Sequence, residues 1–255
     1  MNISAIIITR NEQQNILACI DCLKFAQETI VVDNDSRDKT VSLAKSKGAK
    51  IYQISGLDFA YLRNIGKEKA KSSWVLYIDA DERVTKELAA EIVNAVKTPK
   101  KYHAYNLIRQ NYYLGSPWPK TEKVTRLMLK EALIGWQGSL HESPIVAGEI
   151  GILYSALLHY THRNVSSMVD KTNEWSEIEA QLRIASGHPK MAWWRFFRIM
   201  VTSFYDSYIK QGGWKVGTVG IIESIYQAFS GFVTYAKLWE KQNKLTVQNE
   251  HKKEH

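Results

Sequence analysis

Apolar residues in the first hundred positions come in short bursts separated by amphipathic stretches. "ISAIII" from Ile3, "TIVVD" ending at Asp33, "KIYQI" from Lys50 and "WVLYID" ending at Asp79 are continuous runs of strand length. Between them the spacing changes to three and four. Ile16, Leu17, Ile20 and Leu23 share one helical face, "DKTVSLAKSKG" reads as a helix closed by Gly48, and "FAYLRNIGKEKAKSS" as a third. "TKELAAEIVNAVK" follows as a fourth, with Thr85 placed to cap its N-terminus. Strands alternating with helices over short connections predict a parallel sheet covered on both faces. Ligands of such sheets sit beyond the carboxyl ends of the strands. The turn Thr9–Glu12, Asp33 and Asp79 all fall there.

From about Lys101 the rhythm changes. "HAYNLIRQNYYLGSPW" reads as a strand entering a turn at Gly115 and Pro117. "TRLMLK" and "ALIGWQGSLHESPIV" are shorter, aromatic-rich strand pieces. Helical spacing returns after Asn164. It continues through "MAWWRFFRIMVTSFYDSYIK", where Trp193, Trp194, Phe197 and Phe204 form a stripe punctuated by Arg195, Arg198 and Lys210. Between Val216 and Ala236 the only charge is Glu223, a length that could span a bilayer. The glycines and hydroxyls there favour helices lying in the membrane interface, aromatics among acyl chains and cations at headgroups; a soluble hairpin packed on the domain or a second subunit is the other reading. The predicted division is 1–163 as a catalytic domain, 164–242 as a membrane-associating helical region, and 243–255 as a polar, disordered tail.

The 255 residues carry a net charge of +8, a mild excess that favours an anionic partner. Cys19 and Cys22 are the only cysteines. Without two further ligands at matching spacing they read as small apolar side chains on one helical face, and such sparse cysteine fits a reducing compartment. The apolar part of "MNISAIIITRNE" is too short for a signal peptide and lacks a cleavage site. The catalytic part is therefore expected in the cytoplasm.

The chemistry concentrates where the fourth strand ends in "DADE". Asp79, Asp81 and Glu82 crowd like charges that need a cation among them. Carboxylates at i and i+2 suit Mg2+ or Mn2+, ions that share their coordination with substrate phosphates. Asp33 could accept from a nucleobase or ribose, or neighbours such as Asp35, Ser36 and Asp38 could cap the next helix. Arg63 suits a phosphate. No dinucleotide-binding glycine pattern, P-loop or hydrolase elbow is present.

Four blocks in order, "IIITRNEQQNI", "VVDNDSRDKT", "LRN" and "WVLYIDADERV", resemble those of family 2 inverting glycosyltransferases. "SLHES" resembles the subgroup that glucosylates the lipopolysaccharide inner core (β-1,4-glucosyltransferases). The resemblance covers roughly Met1 to Glu142. It implies a GT-A type, Rossmann-like, mostly parallel sheet with helices on both faces, followed by a C-terminal helical extension. It places Thr9, Asn11 and Glu12 in the nucleotide-binding turn, Asp33 at the base, Arg63 near the nucleotide, Asp79 near the ribose and metal, and Asp81 on a divalent ion. "DND" stands where the family more often has acid-small-Gly, which leaves the turn after Asp33 open. No Q-x-x-R-W block occurs, which argues against a processive synthase.

An inverting transfer needs a base for the acceptor hydroxyl. Glu142, near Trp136, is the first candidate; the alternative reading is a strand-end ion pair. His141 would orient it or act itself. Arg126 would meet the diphosphate or an acceptor phosphate. His159 and His162 have the spacing of a metal pair but lack a third ligand. The expected donor is UDP-glucose, the metal Mg2+ or Mn2+, and the acceptor a lipid-linked saccharide such as core heptose. The expected place is the inner face of the cytoplasmic membrane, bound peripherally to its anionic surface. Nucleic acid is not an expected partner, and the C-terminal helices offer a surface for self-association. Another polysaccharide or a protein as acceptor stays open, as does a metal-dependent nucleotidyltransferase, although "TRNEQQ" is not the glycine-rich basic loop that reaction uses.

Overall fold

The structure, a computed structural model, describes residues 2–55, 59–98, 101–138 and 142–251, with side chains as far as Lys244. Along the chain the elements are β1 (Ile3–Thr9), α1 (Ile16–Asp21), β2 (Glu28–Asp33), α2 (Thr40–Ser46), β3 (Lys50–Gln53), α3 (Phe59–Lys69), β4 (Trp74–Asp79), β5 (Glu82–Val84) and α4 (Lys86–Lys97). They continue as β6 (Ala104–Tyr113), β7 (Ser116–Pro117), β8 (Glu122–Leu129), β9 (Leu133–Gln137), β10 (Ser143–Val146), β11 (Ile150–Tyr160), α5 (Val165–Ala185), α6 (Trp193–Tyr205) and α7 (Thr218–His251). Contacts divide the chain into two compact units, Met1–Asn111 with Thr121–Tyr160, and Tyr112–Lys120 with Thr161–His255.

In the first unit the strands lie in the order β3-β2-β1-β4-β8-β6-β11-β5. The apolar runs β3, β2, β1 and β4 pair in parallel, as their alternation with helices predicts. The register sets Thr9 beside Asp33 and Ile8 beside Asp79, so the polar strand ends converge on one edge. β8 joins β4 antiparallel and β6 joins β8 antiparallel, making the sheet mixed beyond β4. β5 pairs antiparallel with β11, placing Glu82 opposite His159. The long strand β11 and the three-residue β5 were not legible as strands. β9 and β10 form a separate hairpin. The whole is the GT-A type architecture that the resemblance implies, with a helical C-terminal region.

Period-two alternation along β1 feeds two cores. Ile3, Ala5 and Ile7 join Ile16, Cys19 and Ile20 of α1 and Leu88 and Ile92 of α4. Ile6 and Ile8 join Ala60 and Leu62 of α3, Tyr77 and Trp136. The helix α3 approaches β1 so closely that a Cβ on Gly66 would stand 2.4 Å from Ile6 Cγ2. Cys19 lies in the first core with its thiol pKa pushed up by burial, and Cys22 donates to the Cys19 carbonyl, so the pair packs as expected of small apolar residues.

The second unit begins with the β6–β7 turn, where Leu114 and Gly115 both take left-handed backbone (φ 47° and 82°). Its helices α5, α6 and α7 enclose a small apolar cluster of Ala180, Met191 and Leu238. The stripe on α6 stays outward: Trp193 is 75% exposed and Phe197 66%. Among the described residues no helix is long and apolar enough to cross a membrane. The bounds of α7 pass residue 243, where polar composition predicts an unstructured tail; a Lys244–Glu240 pair at i,i+4 follows the helical spacing there.

Candidate active site at the strand ends

The turn after β1 and the turn after β2 are laced together. Asn11 N–H donates to Ser36 Oγ (2.8 Å), Arg37 N–H to Asn11 Oδ1 (2.8 Å) and Glu12 N–H to Thr40 Oγ1 (2.8 Å). Asp38 accepts from Gln13 N–H and from the N–H of Thr40 at the start of α2. Asp33 is buried and accepts from both the backbone N–H and the hydroxyl of Ser36. The local hydrogen bonding that the sequence offered for this loop is present, with Asp38 on the N–H of Thr40, and Asp33 sits buried within it. The turn left open by the missing glycine is solved by Asp35, which itself takes φ +59°. Short polar side chains tolerate that conformation. Thr9, at the end of β1, is buried and its Oγ1 has no partner among the described residues.

Asp79 closes β4 between two arginines. Its Oδ1 accepts from Arg63 Nη2 of α3 at 2.9 Å, and its Oδ2 from Arg126 of β8. Burial opposes its ionisation, but the charges of Arg126 and Arg63 outweigh that and hold the carboxyl well below the usual carboxylate range. Arg126 is pushed the other way, higher still, by Asp79 and Glu82 against its own burial. The backbone of Arg63 is fixed by a bond from Tyr77 Oη to its carbonyl, and its guanidinium carbon lies 4.7 Å from the Trp136 ring centroid. Asn64 exchanges two hydrogen bonds with the backbone of Trp136, fastening β9 to α3.

Glu142 stands just before β10, its Oε1 2.9 Å from Arg63 Nε and 2.8 Å from Arg63 Nη2. Arg63 thus joins three positions that the sequence singled out separately: itself, Asp79 and Glu142. His141 lies outside the described residues.

Asp81 faces the histidine of β11. Its Oδ2 lies 3.4 Å from His159 Nε2, while His159 Nδ1 donates to Asn111 Oδ1 at 2.8 Å. Burial lowers the His159 pKa, but the Asp81 carboxylate outweighs it and leaves it raised. The sequence offered His159 only as a partner of His162. That pairing does not form: His162 bonds Glu223 at 2.9 Å within the second unit. A strand reading of 150–160 would have separated the two histidines.

Among the described residues no group of three or more His, Cys, Asp or Glu is arranged around one point as a metal cage. The donor set fits a divalent ion all the same. Asp81 and His159 face each other at 3.4 Å, and Mg2+ usually takes only one or two protein ligands with phosphates and water completing its shell, so these two side chains would be enough to hold it. Asp79, with both oxygens on guanidinium groups, is the less available of the two acids. Sequence reasoning also passed over Arg83, which donates to the Ala80 carbonyl at 2.8 Å and the Asn15 carbonyl at 3.2 Å and so pins the acidic turn to the residue before α1.

The profile of glycosyl transferase family 2 matches residues 4–157. A glycosyltransferase of Rickettsia conorii is 30% identical, the match covering 93% of this chain and 90% of that protein. The lipopolysaccharide core biosynthesis glycosyltransferase LpsC of Rhizobium meliloti is 25% identical over 94% of this chain and 92% of its own. Among solved structures, S. aureus TarS 1–349 in complex with UDP-GlcNAc matches 96% of this chain and 92% of that one at 14% identity, with a TM-score of 0.46.

Proposed function

Since the chain belongs to glycosyl transferase family 2, we propose that it transfers glucose from UDP-glucose, with inversion, onto heptose of a lipid-linked lipopolysaccharide inner core. One observation carries the donor reading. At the strand ends Arg63 Nη1 and Arg126 Nε are buried N–H groups without a partner among the described residues, on guanidinium groups that already hold Asp79. A buried donor left unmade costs about 1–3 kcal/mol, and a diphosphate offers the oxygens that guanidinium groups match best. Thr9 Oγ1 is a third unpartnered group in the neighbouring turn.

In this reading Thr9, Asn11, Glu12 and Asp33 receive the base and ribose, with Asp79 close to the ribose. Arg63 and Arg126 face the diphosphate. Asp81 with His159 would hold Mg2+ or Mn2+, and Asp79 would join only by giving up an arginine. Such an ion supplies Lewis-acid stabilisation of the charge on the leaving nucleoside diphosphate. Glu142 takes the proton of the acceptor hydroxyl as that oxygen attacks the anomeric carbon, and Arg63 keeps its carboxylate in place meanwhile. His141 is next in line for that role.

The acceptor side rests on the name of the Rhizobium relative and on the second unit. We assign catalysis to residues 1–163 and membrane association to 164–242. There the exposed aromatics of α6 carry cations beside their rings: Arg195 and Arg198 lie 5.4 and 5.6 Å from the Trp194 centroid. The protein then works peripherally at the inner face of the cytoplasmic membrane, and the C-terminal helices are also the surface for any self-association. A thermal-shift panel of nucleotide sugars with Mn2+ or Mg2+ tests the donor. UDP-glucose should raise the melting temperature only when the metal is present. No shift with any nucleotide sugar would overturn the reading. Transfer assays on core oligosaccharide, other polysaccharide and protein then separate the acceptors.

A further inference from the structure

Next to the two acids of the turn lies a third carboxylate with no exposure at all. Glu82, the first residue of β5, is 0% exposed. Burying a carboxylate costs several kcal/mol unless it is well paired, and Glu82 has three partners. Its Oε2 accepts the backbone N–H of Asp79 at 2.9 Å. Its Oε1 accepts from Arg126 Nη2 at 2.9 Å and from Arg109 Nη1 at 3.3 Å. Arg109 is anchored in turn by Glu122, with Nε–Oε2 at 3.0 Å. A single nitrogen of Arg126, Nη2, is shared between Glu82 and Asp79.

We infer that Glu82 is a positioning residue of the donor site, a buried anion that fixes Arg126 against Asp79 and sets the direction of the Asp79–Ala80–Asp81 turn. This rests on the donor reading above. A side chain kept only for stability would need one cation, and buried ion pairs are often replaceable by apolar residues without loss. The three bonds of Glu82 do something more specific. The bond to Asp79 N–H fixes the peptide that enters the turn. The bond to Arg126 leaves that guanidinium one orientation, with Nη2 on Asp79 and Nε turned away without a partner among the described residues. Without Glu82, Arg126 keeps Asp79 as its one ion-pair partner among the described residues, and the guanidinium can rotate about it. The register of β5 with β11 adds a third link, because Glu82 pairs with His159, the residue facing Asp81. One buried carboxylate therefore connects every group assigned to the diphosphate and its ion except Arg63.

Glu82→Gln tests this. The amide fills the same space, but its nitrogen cannot accept, so either the Asp79 N–H or the Arg126 bond is lost. UDP-glucose is titrated calorimetrically in Mn2+, and UDP release is followed without acceptor. The variant should bind UDP-glucose about tenfold or more weaker, a loss carried by KM more than by kcat. The double variant with Arg126→Gln should bind no weaker than Arg126→Gln alone, because Glu82 acts through Arg126. Arg126→Lys keeps the charge but loses the planar fork that holds Nη2 on both carboxylates while Nε points elsewhere; it should reproduce the loss and reads the same bridge should Glu82→Gln not fold. Wild-type affinity in a folded Glu82→Gln, losses that multiply in the double variant, or wild-type affinity in Arg126→Lys would each overturn the inference. A wild-type protein that binds no UDP-glucose overturns the donor reading as well, which keeps the two failures distinct.

Discussion

At the scale of single residues the site is an alternating chain of charges, from Glu122 through Arg109, Glu82, Arg126, Asp79 and Arg63 to Glu142. Its weight on stability falls on the acid side. A carboxyl whose pKa is depressed by folding contributes stability above its unfolded value of about 3.9. That contribution is lost as pH falls through the folded value. Asp79 is such a group. Asp79→Asn should cost about 1–3 kcal/mol at pH 7, below the full value for a broken buried pair because the side chain is 28% exposed. The gap between wild type and variant should narrow as urea unfolding is repeated from pH 5 downwards. A gap that widens in acid would contradict the sign. Glu142→Gln separates base from ion-pair partner. If Glu142 is the base, UDP-glucose affinity stays while turnover falls roughly 10²-fold or more. A parallel loss of affinity would make Glu142 a clamp for Arg63 instead.

At the scale of elements, local sequence sets the helix that follows the acidic turn. Thr85 caps α4 by accepting from Leu88 N–H at 3.1 Å. Thr85→Ala should lower stability by about 1 kcal/mol, read as a shift of the urea midpoint with unchanged slope. The helix α6 has the opposite character, its aromatic face turned to solvent. Each large ring buried in a bilayer is worth about 1.5–3 kcal/mol, and each cation at an anionic surface about 1 kcal/mol. Flotation with anionic vesicles should therefore weaken in high salt without vanishing, since only the cationic part is screened. Trp193→Glu with Phe197→Glu should abolish it and leave UDP-glucose affinity unchanged. Wild-type protein that never floats would make this face a protein contact.

At the scale of the whole molecule, the parallel half was legible because buried parallel strands read as unbroken apolar runs and their helices as clean three-four spacing. The sequence pattern alone puts Thr9, Asp33 and Asp79 at one edge. The antiparallel half was harder. In β11 every second side chain is not cleanly polar, and β5 has only three residues, so neither carries a period. That is why nothing in the sequence pointed from His159, delivered to Asp81 by β11, to that partner. The arginines were legible as phosphate ligands but not as a bridge from Asp79 to Glu142, since 16 and 79 residues separate Arg63 from those partners. The account turns on Asp81 and a divalent ion on the donor, and calorimetric titration of UDP-glucose into wild type and Asp81→Ala, with and without Mn2+, tests it most directly. Asp81 lies in a turn outside the core, so the variant should stay folded. The account predicts binding by wild type only with Mn2+ and none by folded Asp81→Ala; equal binding by both proteins, or binding indifferent to the metal, would contradict it.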